Sequence, residues 1–218
     1  MPYSLDDRLI FPHPSLADDN GLLAVGGDLH VERLLLAYQH GIFPWFSEET
    51  PILWYAPHER FVLLPQELRI KKSMRQLIRK GVYNITHDTA FAEVIEHCAS
   101  IKRRDQEGTW ITNDMQEAYV RLHQLGYAHS IETYNDKGIL IGGLYGIQIG
   151  RIFCGESMFS LAPNASKLAL IHLCQHFNLE LIDCQIHSDH LASLGAKLIP
   201  ATTYYELLQK QITEPFVI

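Results

Sequence analysis

The stretch from Gly142 to Lys167, GGLYGIQIGRIFCGESMFSLAPNASK, constrains the fold of this chain more than any other. Two apolar runs flank Gly150, which reads as the turn of a hairpin, and Gly142, Gly143 and Gly146 interrupt the first run. Glycine inside a strand marks a bulge or a place where another backbone or a ligand comes close. The return strand, Arg151 to Ser157, alternates Phe153, Gly155 and Ser157 with Ile152, Cys154 and Glu156, so a carboxylate shares a face with apolar neighbours. Such a group needs a cation, hydrogen bonds or a ligand, and a strand-end salt bridge satisfies the pattern as well as a functional acid does. Pro163-Asn164-Ala165-Ser166 has the form of a helix start, with free N–H groups toward the end of the hairpin.

At 218 residues the chain can bury a substantial core. Its formal charge of −7 argues against a nonspecific grip on nucleic acid and leaves room for a local basic patch. No apolar run approaches the roughly 20 residues that span a bilayer, and Met1 to Asp7 lacks the features of a signal peptide, so a cytoplasmic protein without membrane contact is expected. Cys98, Cys154, Cys174 and Cys184 sit in apolar contexts without C-x-x-C spacing and read as buried, reduced thiols.

Along the chain, a short strand ends at Gly26-Gly27-Asp28, and Asp28 is placed to cap a helix from about Leu29 to His40, with Leu34, Leu35, Ala37 and Tyr38 facing inward. Aromatics then cluster beside prolines in Gly41 to Phe46 and Ile52 to Pro57, where Trp45 serves either as core or as a ligand-facing wall. The segment Arg69 to Lys80 predicts a helix capped by Ser73, with Leu77 and Ile78 inward. Its surface carries Lys71, Lys72, Arg75, Arg79 and Lys80, which form a solvated face or a phosphate-contacting patch for RNA. A second basic group, Lys102-Arg103-Arg104, follows a helix that Asp88 is expected to cap.

Thr112 or Asn113 caps a helix to Leu125 with Ala118, Tyr119, Leu122 and Leu125 inward, and a later helix, Ala165 to Asn178, carries the stripe Leu170, Leu173, Cys174 and Phe177. Leu181 to Ile186 reads as a strand with Ile182, Cys184 and Ile186 on one face and Asp183 and Gln185 on the other. Two polar groups on one face of a core strand are either a structural hydrogen-bond pair or functional. Lys197 to Pro200 forms a further strand, and Thr203 caps a last helix from Tyr204 to Gln211.

Other chemistries lack their signatures. His187-Ser188-Asp189-His190 has no third metal ligand at a recognisable spacing, Gly155-Glu156-Ser157-Met158-Phe159 is not a nucleophile elbow, and neither a Walker lysine nor a dinucleotide fingerprint is present.

The sequence resembles the bacterial leucyl/phenylalanyl-tRNA–protein transferases through most of its length. The resemblance rests on Gly21 to Leu29, Gly41 to Phe46, Thr109 to Thr112, Ala128 to Glu132, Gly142 to Gly146, Phe153 to Ser160, Ala165 to Lys167, Leu181 to Gln185 and Ser193 to Ala196, in that order. It implies an α+β fold: a small N-terminal domain, 1–59, and a larger domain, 60–218, resembling the GNAT acyltransferases, with a mixed sheet flanked by helices. The implied reaction moves leucine or phenylalanine, and methionine where size permits, from charged tRNA to the α-amine of a protein beginning with arginine or lysine, which marks it for degradation. The ester supplies the energy, so the resemblance implies no ATP, metal or coenzyme, and a monomer.

The family pattern implies Asp183 and Gln185 as a hydrogen-bonded pair beside the attacking amine, acting as a relay or by positioning. It implies Glu156 as the group that holds the cationic acceptor, through either amine. Trp45, Trp110, Phe153, Phe177 and Ile182 are the implied aminoacyl pocket, and Lys71, Lys72, Arg75, Arg79 and Lys80 are carried forward as the tRNA contact. Two positions depart from the family: Trp54-Tyr55-Ala56-Pro57, where a second tryptophan and a serine are more usual, and Leu173, where an aromatic can line the pocket. A coenzyme A acyltransferase lacks its pyrophosphate loop here, and a plain RNA-binding module leaves the three polar residues without a duty.

Overall fold

In the computed structural model, which describes residues 2–101 and 110–212, the glycine hairpin lies inside a seven-stranded mixed sheet. The elements in chain order are β1 (Tyr3–Leu5), β2 (Leu22–Gly26), α1 (Val31–Gln39), β3 (Phe43–Pro44), β4 (Leu53–Tyr55), β5 (Glu59–Leu63), α2 (Lys72–Lys80), β6 (Asn84–His87), α3 (Phe91–Ser100) and α4 (Asn113–Gln124). They continue with β7 (Ala128–Tyr134), β8 (Leu140–Ile149), β9 (Ile152–Ser160), α5 (Ala165–His176), β10 (Leu181–Gln185), α6 (Asp189–Ala192), β11 (Lys197–Pro200) and α7 (Ala201–Ile212). A four-stranded sheet has the order β1-β2-β4-β3, and the larger one β11-β5-β10-β9-β8-β7-β6. In the larger sheet β9 and β10 run parallel, so the chain must cross over between them, and α5 is that crossover.

Alternation along the strands separates two cores on opposite faces. Val62, Tyr145, Cys154 and Leu181 join residues of α1, α3, α4 and α7 on one face, while Leu63, Leu144, Phe153 and Ile182 meet α5 on the other. The strand glycines are explained by close approach. A Cβ on Gly142 would lie 2.5 Å from the Cβ of Ala165 in α5, and one on Gly146, beside a bulge in the β8–β9 ladder, would lie 2.2 Å from the Cys154 carbonyl oxygen.

Helix ends differ from expectation where a side chain has a better partner elsewhere. Asp28 accepts from His30 N and from Arg33 Nη2 rather than capping α1, whose N-cap is His30 and whose Arg33 is fully buried. Asp88 is drawn to β7, where it accepts from Ser130 N at 2.9 Å and pairs with His129 Nδ1 at 2.7 Å, and Ala90 is the N-cap of α3. Ser73 lies inside α2, which Lys71 precedes as N-cap. Met74 is its buried residue, and Ile78 is 40% exposed. Thr112 caps α4 as expected, but Met115 replaces Leu125 in the stripe, because Leu125 has already left the helix. The last helix starts at Ala201, directly after β11, so Thr203 lies within it.

Gly142→Ala is expected to lower stability by about 1–3 kcal/mol through this overpacking, read as a lower urea midpoint with an unchanged slope. Wild-type stability in that variant would contradict the close-packing account.

Candidate active site

Arg60 in β5 and Asp183 in β10 meet within the first core. Arg60 Nε donates to Asp183 Oδ1 at 2.8 Å and Nη2 to Oδ2 at 2.7 Å, and both side chains are shut off from solvent. The Tyr204 hydroxyl of α7 donates to Oδ2 at 2.9 Å, and the Gln185 backbone N–H donates to Oδ1 at 2.9 Å. Arg60 also donates to the Gly41 carbonyl at 3.0 Å, and its guanidinium lies 4.8 Å from the Phe43 ring centroid and 4.7 Å from that of Tyr204. Burial works against the Arg60 charge, and the Asp183 carboxylate more than offsets it, holding the guanidinium above its usual range. A buried ion pair is sustained by such full hydrogen bonding.

Beyond this pair the parallel strands separate. Their register runs Leu181↔Ile152, Ile182↔Phe153 and Asp183↔Cys154, and ends there. On β10 the backbone turns left-handed at Gln185, φ 61°, and on β9 the ladder to β8 skips Glu156 between Gly155 and Ser157. Positive φ costs a residue with a side chain roughly 1–3 kcal/mol, and it is held here by the Asp183 carboxylate gripping the Gln185 N–H.

The Gln185 side chain is thereby turned to Glu156, donating from Nε2 to Oε1 at 2.8 Å. The Tyr119 hydroxyl of α4 donates to Oε2 at 3.1 Å and shares a short hydrogen bond with the hydroxyl of Tyr38 in α1. Burial raises the Glu156 pKa to about 7; the hydroxyls of Tyr38 and Tyr119 and the Gln185 amide limit the rise, and the Asp183 charge adds to it. This is a carboxylate poised to exchange a proton near neutrality.

Glu156 and Gln185 line a cavity of about 390 Å³ at the parting of the strands. Phe153, Leu170, Leu173, Ile182 and Cys184 give it an apolar lining, Trp45 contributes from the end of β3 and Trp110 from the segment before α4, and His187, Ser188 and His190 lie along it. Among the described lining residues Glu156 is the acidic one. The structure therefore brings together Glu156, Gln185, Trp45, Trp110, Phe153 and Ile182. Asp183 lies outside the lining, and it meets Gln185 through the backbone N–H, not side chain to side chain. Phe177 is outside as well, edge-on to His87 with ring centroids 5.6 Å apart. It is the C-cap of α5, in extended conformation, and packs against the core that Leu170 and Leu173 join without reaching the cavity.

Arg60, Tyr38, Tyr119 and Tyr204 were not foreseen in the site. A lone arginine opening the apolar run Phe61-Val62-Leu63 signals a buried partner, but nothing in the sequence says which. The five cations on and beside α2 are exposed and, among the described residues, form no ion pair. Lys102-Arg103-Arg104 lies outside the described residues.

The family profile described as leucyl/phenylalanyl-tRNA protein transferase matches residues 62–209, and the profile for its N-terminal domain matches residues 27–58. The chain belongs to the leucyl/phenylalanyl-tRNA–protein transferase family. It is 55% identical to the member from Syntrophus aciditrophicus, over 95% of this chain and 87% of that one. It is 51% identical to the member from Syntrophobacter fumaroxidans, over 98% and 93% of the two chains. Among solved structures it is similar to FemX, with a TM-score of 0.46 and 12% identity over 87% of this chain and 74% of that one, too loose a likeness to inform the site. No helix among the described residues is long and apolar enough to cross a membrane.

The folded-state pKa of Glu156 lies above the ordinary value of 4.5, so its ionisation opposes folding. Relative to Glu156→Gln, the wild type keeps its full stability below pH 4.5 and loses about 3 kcal/mol as the pH rises through 7. Urea unfolding of both proteins at pH 4.5 and pH 8 measures this, and a difference that does not change with pH would refute the raised pKa.

Proposed function

We propose that this chain transfers leucine or phenylalanine, and methionine where size permits, from the 3′ end of charged tRNA to the α-amine of proteins beginning with arginine or lysine. The observation that carries the reading is the Glu156–Gln185 pair at the edge of an apolar cavity, in a chain of this family. The donor side chain fits against Phe153, Ile182, Leu170 and Leu173, with Trp45 and Trp110 as the outer wall. An apolar lining accepts these side chains by size and rejects polar ones by desolvation.

In the proposed step, the Glu156 carboxylate holds the acceptor α-ammonium and takes one proton from it. The neutral amine attacks the ester carbonyl, the carbon–oxygen bond to the ribose breaks, the departing 3′ oxygen takes the second proton that the nitrogen sheds in becoming an amide, and Glu156 returns the first proton to solvent. An α-amine of pKa about 7.7–8.0 and a carboxyl of pKa about 7 are closely matched for that exchange. Gln185 orients Glu156 by its amide. Asp183 acts at one remove, as a positioning residue that fixes Gln185 in its left-handed conformation. The lysines and arginines of α2 and its N-cap, Lys71, Lys72, Arg75, Arg79 and Lys80, contact tRNA phosphates.

The reading includes a small domain, 1–59, and a GNAT-like domain, 60–218. In its support, the strands of the four-stranded sheet end at Tyr55 and those of the larger sheet begin at Glu59. It takes the chain to act as a cytoplasmic monomer that marks its protein substrates for degradation.

The test is transfer of labelled leucine from leucyl-tRNA to a peptide beginning with arginine, beside one beginning with alanine. Transfer to the first alone is expected, and a folded wild type that labels neither would sink the reading. Replacing Lys71 and Lys72 together by alanine should weaken binding of every accepted tRNA alike and reduce the slope of log affinity against log salt. An unchanged slope removes α2 from the interface.

A further inference from the structure

Helix α5 carries a cation near the cavity that has no part in the proposed transfer step. Met74 of α2 packs against Leu168 and Ile171 of α5, and Lys167 stands on α5 about one turn before Leu170, which lines the cavity. Lys167 is half-buried and, among the described residues, has no ion-pair partner. Its charge acts on His190, which burial and Lys167 together hold below the usual imidazole pKa. His190 in turn lines the cavity, next to Ser188 and to His187, whose ring leans on Phe61 with centroids 5.0 Å apart. The acidic group nearby is Asp189, fully exposed and 3.9 Å from His187 Nε2. A cation on the helix turn before Leu170 therefore stands near donor groups that line the cavity, in a chain whose net charge is −7.

Resting on the proposed function, we propose that Lys167, with His190 and His187, forms a phosphate subsite for the donor, holding the phosphodiester immediately 5′ of its terminal nucleoside. A phosphate needs a cation and N–H or O–H donors, and Lys167, the two imidazoles and Ser188 supply them. A donor anchored by its phosphate at one edge of the cavity and by its aminoacyl group inside has its ester fixed between the two, beside Glu156. Lys167 is then a binding residue for the nucleotide, distinct from the groups that meet the reacting amine.

Two short donors separate this role from a structural one: a 3′-aminoacyl adenosine, and the same molecule bearing a 5′-phosphate. For wild type, Lys167→Ala and Lys167→Arg, kcat/KM would be measured with each donor and an arginyl peptide, beside transfer from whole aminoacyl-tRNA. Lys167→Ala should lose about tenfold on the phosphorylated donor, stay within about twofold on the nucleoside, and be largely rescued by Lys167→Arg. Equal losses on both donors, or no loss on either, would overturn the subsite. So would a wild type that does not favour the phosphorylated donor. A wild type inactive on whole aminoacyl-tRNA overturns the functional reading and the subsite with it, whereas one active there with an unchanged donor ratio in Lys167→Ala overturns the subsite alone.

Discussion

The buried pair between Arg60 and Asp183 is the contact on which the site depends. It ties β5 to β10, reaches Gly41 beside the small sheet through Arg60 Nη1, and engages α7 through Tyr204. Removing either charge would strand the other in the core, at a cost of about 3–5 kcal/mol. That cost explains why such a pair stays intact while the nearby backbone is strained. The Asp183 carboxylate also holds the Gln185 N–H, so one buried interaction sets both the cohesion of the strands and the direction in which they part.

The parting of β9 and β10 supplies the remaining geometry. Had the β9–β10 ladder continued past Cys154 and Asp183, Gln185, already paired with Phe61 of β5, would have paired with β9 as well and no opening would exist between the two strands. Left-handed backbone at Gln185 and the extra residue at Glu156 end the ladder on both sides, and the two side chains bridge the gap they leave. Tyr119 and Tyr38 complete the surroundings of the carboxylate from α4 and α1, so residues far apart in sequence tune one acid. Hydrogen bonds from Tyr119 and Gln185, with Tyr38 behind Tyr119, keep Glu156 from being pushed higher than about 7 by burial, which leaves it ionisable near neutrality.

Much of this was legible in the sequence, for reasons that can be named. The hairpin about Gly150 and the close approach at Gly142 follow from glycine itself, and the inward faces of β9 and β10 follow from alternation. What alternation cannot carry is a departure from its own period. It put Asp183 and Gln185 side by side, whereas the positive φ at Gln185 turns its side chain to Glu156 and leaves Asp183 with Arg60. Phe177 packs against the core of the stripe as its spacing suggests, but it stands where the helix stops and so does not reach the cavity lining. Arg60 was invisible because its partner is more than a hundred residues away, and Asp28 and Asp88 misled because a local cap and a distant partner look alike in one dimension.

In the proposed step Glu156, and not Asp183, exchanges the proton. The pH dependence of kcat for transfer to an arginyl peptide, in the wild type and in Glu156→Gln, tests it most directly. The wild-type rate should rise through an ionisation near 7, and the glutamine variant should lose that ionisation together with about a hundredfold or more of the rate. A Glu156→Gln enzyme that keeps the same acid limb and a near-wild-type rate would contradict it.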